Sequence, residues 1–188
     1  MQMKKLILIL FIIPFSFTIY AKQPQRGYRG FVDWSNSIRS YEFNGLGRTS
    51  DYYTGFSTSH GYQINSWVFT GLGFDLEYFS TGQDFIIAPY FDVRSDLKFS
   101  FFTPFVDIRI GYNYTNGGGV YFSPSIGYRF NWGRKVGVNI GVGLTLKGYK
   151  SDIIDIEYYP ELGWWGGEYI GTERKVETFF SFRVGFDF

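Results

Sequence analysis

Apolar and polar residues alternate one for one over long stretches of this chain, which is the pattern of strands with two unlike faces. Near the end of the sequence Val176, Phe180, Phe182, Val184, Phe186 and Phe188 form an apolar set broken only by Thr178. The interleaved Glu177, Phe179, Ser181, Arg183, Gly185 and Asp187 carry charge and small side chains. These thirteen residues exceed the roughly 9–11 that a tilted strand needs to cross a bilayer. The same period returns at 136–146, 120–130, 102–112, 85–93 and 72–78, and more weakly at 28–34 and 56–64. Eight such segments predict an all-β fold: an eight-stranded antiparallel up-and-down transmembrane β-barrel, greasy outside and polar within.

A soluble barrel shows this period turned inside out. Three features put lipid outside: a Gly- and Ser-rich opposite face, aromatics near strand ends (Trp34, Trp67, Tyr78, Tyr112, Tyr128, Trp132), and a final strand that nothing covers. Connections at 65–66, 95–98 and 133–135 are tight, those at 80–83 and 115–118 are short, and those at 37–54 and 148–174 are long. Outer-membrane barrels keep short turns on the periplasmic side. Both termini are therefore expected in the periplasm, with the long loops outside the cell.

Lys4 and Lys5 precede an apolar run at 6–13, and Ala21 supplies a small residue at a cleavage point, so 1–21 reads as a secretory signal peptide and 22–188 as one barrel domain. Without the signal, sixteen bases face seventeen acids, a net charge of −1 that argues against nucleic acid as a partner. The chain has no cysteine, so it relies on no disulfide. No stretch of the mature chain approaches the roughly 18 apolar residues of a membrane helix.

The segments Ser59-His60-Gly61-Tyr62-Gln63-Ile64-Asn65, Pro104-Phe105-Val106-Asp107-Ile108-Arg109 and Ser123-Pro124-Ser125-Ile126-Gly127-Tyr128-Arg129, with the terminal Phe188, resemble the small outer-membrane β-barrel proteins of Bacteroidota, which are similar in architecture to OmpA and OmpX. The resemblance spans nearly the whole mature chain. It implies residence in the outer membrane of a Gram-negative bacterium and insertion by the outer-membrane assembly machinery, with Phe188 in the recognition signal. It implies no defined biochemical activity.

The inward set places Arg29, Arg94, Arg109, Arg129, Lys147 and Arg183 against Asp33, Asp75, Glu77, Asp84, Asp92, Asp107, Glu177 and Asp187. Mixed charges in a narrow tube are costly unless paired, so a hydrogen-bonded network filling the lumen is expected. That makes the barrel a plugged anchor, with a narrow channel or an ion relay as the alternative readings. Three strands repeat one spacing, Pro89-x-x-Asp92-x-Arg94, Pro104-x-x-Asp107-x-Arg109 and Pro124-x-x-Gly127-x-Arg129, and each proline is expected to mark a bulge or bend on the lipid side.

Catalysis finds little support. The one histidine, His60, falls on the face opposite Ser57 and Ser59, and the sequence contains no Asp-Ser pair, so neither arrangement of a lipid-A-modifying enzyme is assembled. Alternation puts His60 among lipid-facing residues, so either a bulge turns it inward, the favoured reading, or it sits near the membrane interface. No cofactor or metal is implied: Asp152, Asp155, Glu157 and Glu161 lack an ordered calcium spacing, and Gly117-Gly118-Gly119 precedes no helix. Recognition, if any, falls to the outer loops, where Tyr41, Phe43, Tyr52 and Tyr53, then Tyr149, Tyr158, Tyr159, Trp164, Trp165 and Tyr169, would meet an extracellular protein or glycan. A simpler reading extends the last two strands into a hairpin above the membrane, its aromatics packed across the strands.

Overall fold

The computed structural model describes residues 26–42, 48–80, 82–97, 101–115, 117–132, 136–159 and 164–188, with the backbone alone at 42, 48, 132 and 152 and along 154–159 and 164–168. The expected signal peptide lies outside the described residues, as does Phe43. Eight strands follow one another: β1 Gly27–Glu42, β2 Arg48–Gln63, β3 Val68–Phe79, β4 Asp84–Asp96, β5 Phe102–Asn113, β6 Gly119–Trp132, β7 Val136–Tyr159 and β8 Trp164–Asp187. Each pairs with its neighbours in sequence and β8 returns to β1, closing an all-antiparallel barrel.

Register fixes the shape. A row of paired residues leaving β1 at Gly27 passes Gln63, Phe69, Arg94, Asp107, Ser125, Gly143 and Ser181, and meets β1 again at Ser37, ten residues further on. With eight strands, that stagger tilts them by about 40° and leaves an interior that side chains fill. The outer face carries an apolar belt from Tyr28 to Ile38 on β1 and around every other strand. Ten residue steps at roughly 3.3 Å, inclined by that tilt, make the belt about 25 Å tall, the height of a membrane barrel's apolar band.

Two features, the first long connection and the prolines, depart from the sequence reading, and a third decides between its two readings of the last connection in favour of the hairpin. The connection expected at 37–54 is mostly strand, since β1 runs to Glu42 and β2 begins at Arg48. The connection expected at 148–174 is a hairpin: β7 and β8 pair with each other out to Tyr159 and Trp164, far beyond Lys147, where β6 stops pairing with β7, and Phe180, where β1 stops pairing with β8. The prolines face outward as expected but insert no bulge. Pairings on either side of Pro124 (Phe122 with Leu146, Ser125 with Gly143) keep one register, so the missing N–H leaves a gap in the ladder and no extra residue. Among the described residues the register shifts only between Ile153 and Ile154.

Candidate functional site

The lumen is the most built part of the molecule. Inward glycines on neighbouring strands make room for large side chains to cross it: a Cβ at Gly127 would stand 2.6 Å from the Phe105 ring, and one at Gly73 2.7 Å from Tyr90. Between these rings the charges assemble in tiers. At the end nearest residue 27, Asp187 on β8 accepts from Arg29 Nε at 3.1 Å, from Arg129 Nε at 2.8 Å and Nη2 at 2.6 Å, and from Asn139 at 3.2 Å. Arg29 Nη1 also reaches Asp96 at 2.9 Å and Gln63 at 2.8 Å. Arg94 donates to Asn139 at 2.5 Å and stacks 3.5 Å above Phe105.

The middle tier is centred on Arg109, which pairs with Asp33, donates to Ser57 at 2.8 Å and lies 3.3 Å from Asp107. Asp107 also accepts from Arg183 at 2.9 Å, and Asp92 stands 3.9 Å from Arg109 Nε. Register explains this concentration: Asp92 lies opposite Arg109 and Arg94 opposite Asp107, so two antiparallel strands each reading Asp-x-Arg set every acid against a base. Above it, Tyr121 donates to Asp75 at 2.8 Å, while Lys147 pairs with Glu77 and sits 3.8 Å over the Tyr53 ring. A cavity of about 10 Å³ between Arg94, Phe105, Asp107, Arg109 and Arg183 remains, room for roughly one water.

The rim lies just above the apolar belt. There Arg39 pairs with Asp51 at 2.7 Å and with Glu177, and the Tyr149 hydroxyl donates to Glu177 at 2.5 Å. Partial burial, with this hydrogen bond to Glu177, pushes the Tyr149 hydroxyl up to about 12. The bond keeps the phenol protonated, because a phenolate could not donate it.

Of the residues expected to form the lumen network, Arg29, Asp33, Asp75, Glu77, Asp92, Arg94, Asp107, Arg109, Arg129, Lys147, Arg183 and Asp187 are buried within the bore. Glu177 is instead half-buried at the rim, and Asp84 is exposed at the start of β4. Tyr53 is corrected from loop to lumen: it is 7% exposed and stacks on Phe79, whereas the adjacent Tyr52 faces outward. The side chains of Tyr158, Tyr159, Trp164 and Trp165 lie outside the described residues, though register sets Tyr158 opposite Trp165 and Tyr159 opposite Trp164. His60 is also corrected. It faces outward in unbroken register, opposite Gly30 and Leu72, with its ring bonded to Tyr28 at 2.6 Å and Thr58 at 2.9 Å. Trp34, expected near a strand end, lies at mid-strand opposite Phe56 and Val184.

Sequence reasoning missed Arg39, Asp51 and Asp96, and it set Gln63 and Asn139 on the inward face without a part in the network. Asp96 was legible, since it continues the alternation of Asp92 and Arg94 into what looked like a turn. Arg39 and Asp51 were not, because above the apolar belt both faces of β1 and β2 carry polar side chains and the period disappears.

No protein-family model matches the chain, and no curated protein does. Among solved structures the chain is similar to a "KdgM porin in complex with disordered oligogalacturonate", at 11% identity and a TM-score of 0.29, over 84% of this chain and 98% of that one. A likeness this distant lends nothing of that porin's ligand to the chain.

Proposed function

We propose that this protein is an integral outer-membrane barrel whose bore is closed by its own side chains, a non-enzymatic anchor that holds the β7–β8 hairpin above the bilayer on the extracellular side. The observation that carries this reading is the stack of ion pairs spanning the lumen from Asp187 through Arg109 and Lys147 to the rim. Below the rim each tier joins strands on different sides of the tube, as Arg29 to Asp96, Arg109 to Asp33 and Lys147 to Glu77 do, so a solute would have to break several buried pairs at once. Removing one partner from such a pair costs about 3–5 kcal/mol. The apolar belt supports the membrane setting, and the hairpin supplies the surface for an extracellular protein or glycan. His60 supports the non-enzymatic reading: its contacts are with Tyr28, Thr58 and the Phe188 ring, and none is a carboxylate that would orient it as a base.

Refolded protein in a planar bilayer should give no stable conductance steps of porin size. Regular steps at neutral pH would favour the narrow channel and overturn the plug. Expression in a Gram-negative host should likewise leave the mass of lipid A unchanged, and a changed mass would revive the lipid-modifying enzyme.

A further inference from the structure

The belt is not uniform around the barrel. On β4 to β8 the outward positions are apolar throughout, apart from Ser95 and Thr178 near its edges. On β1 to β3 they include Asn36, Thr54, Thr58, His60 and Thr70. Hydrocarbon offers no hydrogen-bond partner, so each polar group there must find one in protein.

Most of them do so within the chain. Thr58 Oγ1 donates to the Phe31 carbonyl at 3.0 Å, which leaves His60 Nε2 to donate to Thr58 and His60 Nδ1 to accept from the Tyr28 hydroxyl. Thr54 accepts from Trp34 Nε1 at 3.2 Å. Asn36, directly opposite Thr54, does not: its carboxamide, like the Thr70 hydroxyl, has no partner among the described residues, and a carboxamide leaves both a donor and an acceptor open. It stands one outward position below Ile38, between Thr54 of β2 and Phe182 of β8.

A carboxamide carries donor and acceptor side by side, so it is complementary to itself. Two copies related by a two-fold axis would form two hydrogen bonds through Asn36 alone, and a two-fold is the commonest symmetry of homo-oligomers. The outward neighbours Val32, Trp34 and Ile38 would pack around the pair. We propose that the outer face of β1 is the seam of a homodimer within the bilayer, with Asn36 of each copy paired across the axis. Polar side chains join transmembrane helices in this way, where the alternative is an unsatisfied group in hydrocarbon.

The proposal rests on the membrane reading, and the absence of cysteine allows a test that separates the two. Ile38→Cys keeps Asn36 and places a thiol beside the axis, and Ile110→Cys places one across the barrel on β5. In vesicles, oxidation or a short bis-maleimide should convert Ile38→Cys to a dimer of twice the monomer mass and leave Ile110→Cys monomeric. Adding Asn36→Leu to Ile38→Cys should weaken self-association roughly tenfold, while Asn36→Gln should largely preserve it. If Ile110→Cys is shielded from a water-soluble maleimide but Ile38→Cys stays monomeric, the seam fails and the membrane reading survives. Ready labelling of Ile110→Cys overturns both. Equal cross-linking at the two positions, no effect of Asn36→Leu, or a product of another mass in native membranes overturns the homodimer.

Discussion

At the scale of single residues, Arg109 does more than any other side chain to hold the lumen together. It reaches Asp33, Ser57 and Asp107 from one guanidinium and lies 5.0 Å from the Tyr90 ring. Arg109→Met would leave buried carboxylates short of their cation, and we expect a loss of about 3–5 kcal/mol, read from the urea midpoint in vesicles. Tyr149 answers to pH instead. An unfolded tyrosine ionises near 10 and this one near 12, so the native state holds its proton longer as pH rises. Its contribution is complete below 10 and fades between 10 and 12. Tyr149→Phe should remove that share of the alkaline decline, read as a smaller fall in melting temperature between pH 10 and 12 than the unsubstituted protein shows. Within the belt, which residues point inward was legible from alternation alone; Asp51 and Tyr53 above it were not. Which ones pair was not, because partners such as Tyr121 and Asp75 meet across the bore and not along one strand. The repeated Asp-x-Arg was visible in the sequence, but its meaning needed the register of β4 on β5.

At the scale of elements, the β7–β8 hairpin separates from the rest. Beyond Lys147 and before Val176 each strand pairs only with the other, and two-stranded ribbons are marginal in water. The barrel below does not depend on it. Replacing residues 151–172 by a tight turn should leave the urea midpoint of the barrel unchanged within about 0.5 kcal/mol, while the binding proposed for the hairpin is lost; equal binding by both forms would remove the hairpin as a recognition surface. Hydrogen exchange should be fast along the ribbon and slow within the belt. The sequence showed the ribbon's alternation at Ile154 to Glu157 but gave two readings of it, loop or hairpin. Local pattern does not record whether a third strand lies alongside. Conversely, the prolines looked like bulges because the missing donor was legible, while the unbroken register around it was a property of both neighbours.

On the scale of the whole molecule, strand number and stagger decide how wide the tube is, and the charge tiers decide whether it is open. The closed barrel of eight antiparallel strands was legible almost entirely, since each strand carries its own period and each turn its own length. Asp187 has a consequence for how such a tube comes together. It sits on the strand that meets β1, yet it also accepts from Arg129 on β6 and Asn139 on β7. An unclosed sheet lacking β8 leaves Arg129 with no carboxylate, so zipping the seam and neutralising the bore become one event. Asp187→Leu should therefore slow the appearance of the compact, gel-retarded form more than a loss of similar size elsewhere, such as Phe105→Leu. A half-rolled sheet is penalised until its last strand arrives, which turns a carboxylate into a latch that admits only finished barrels.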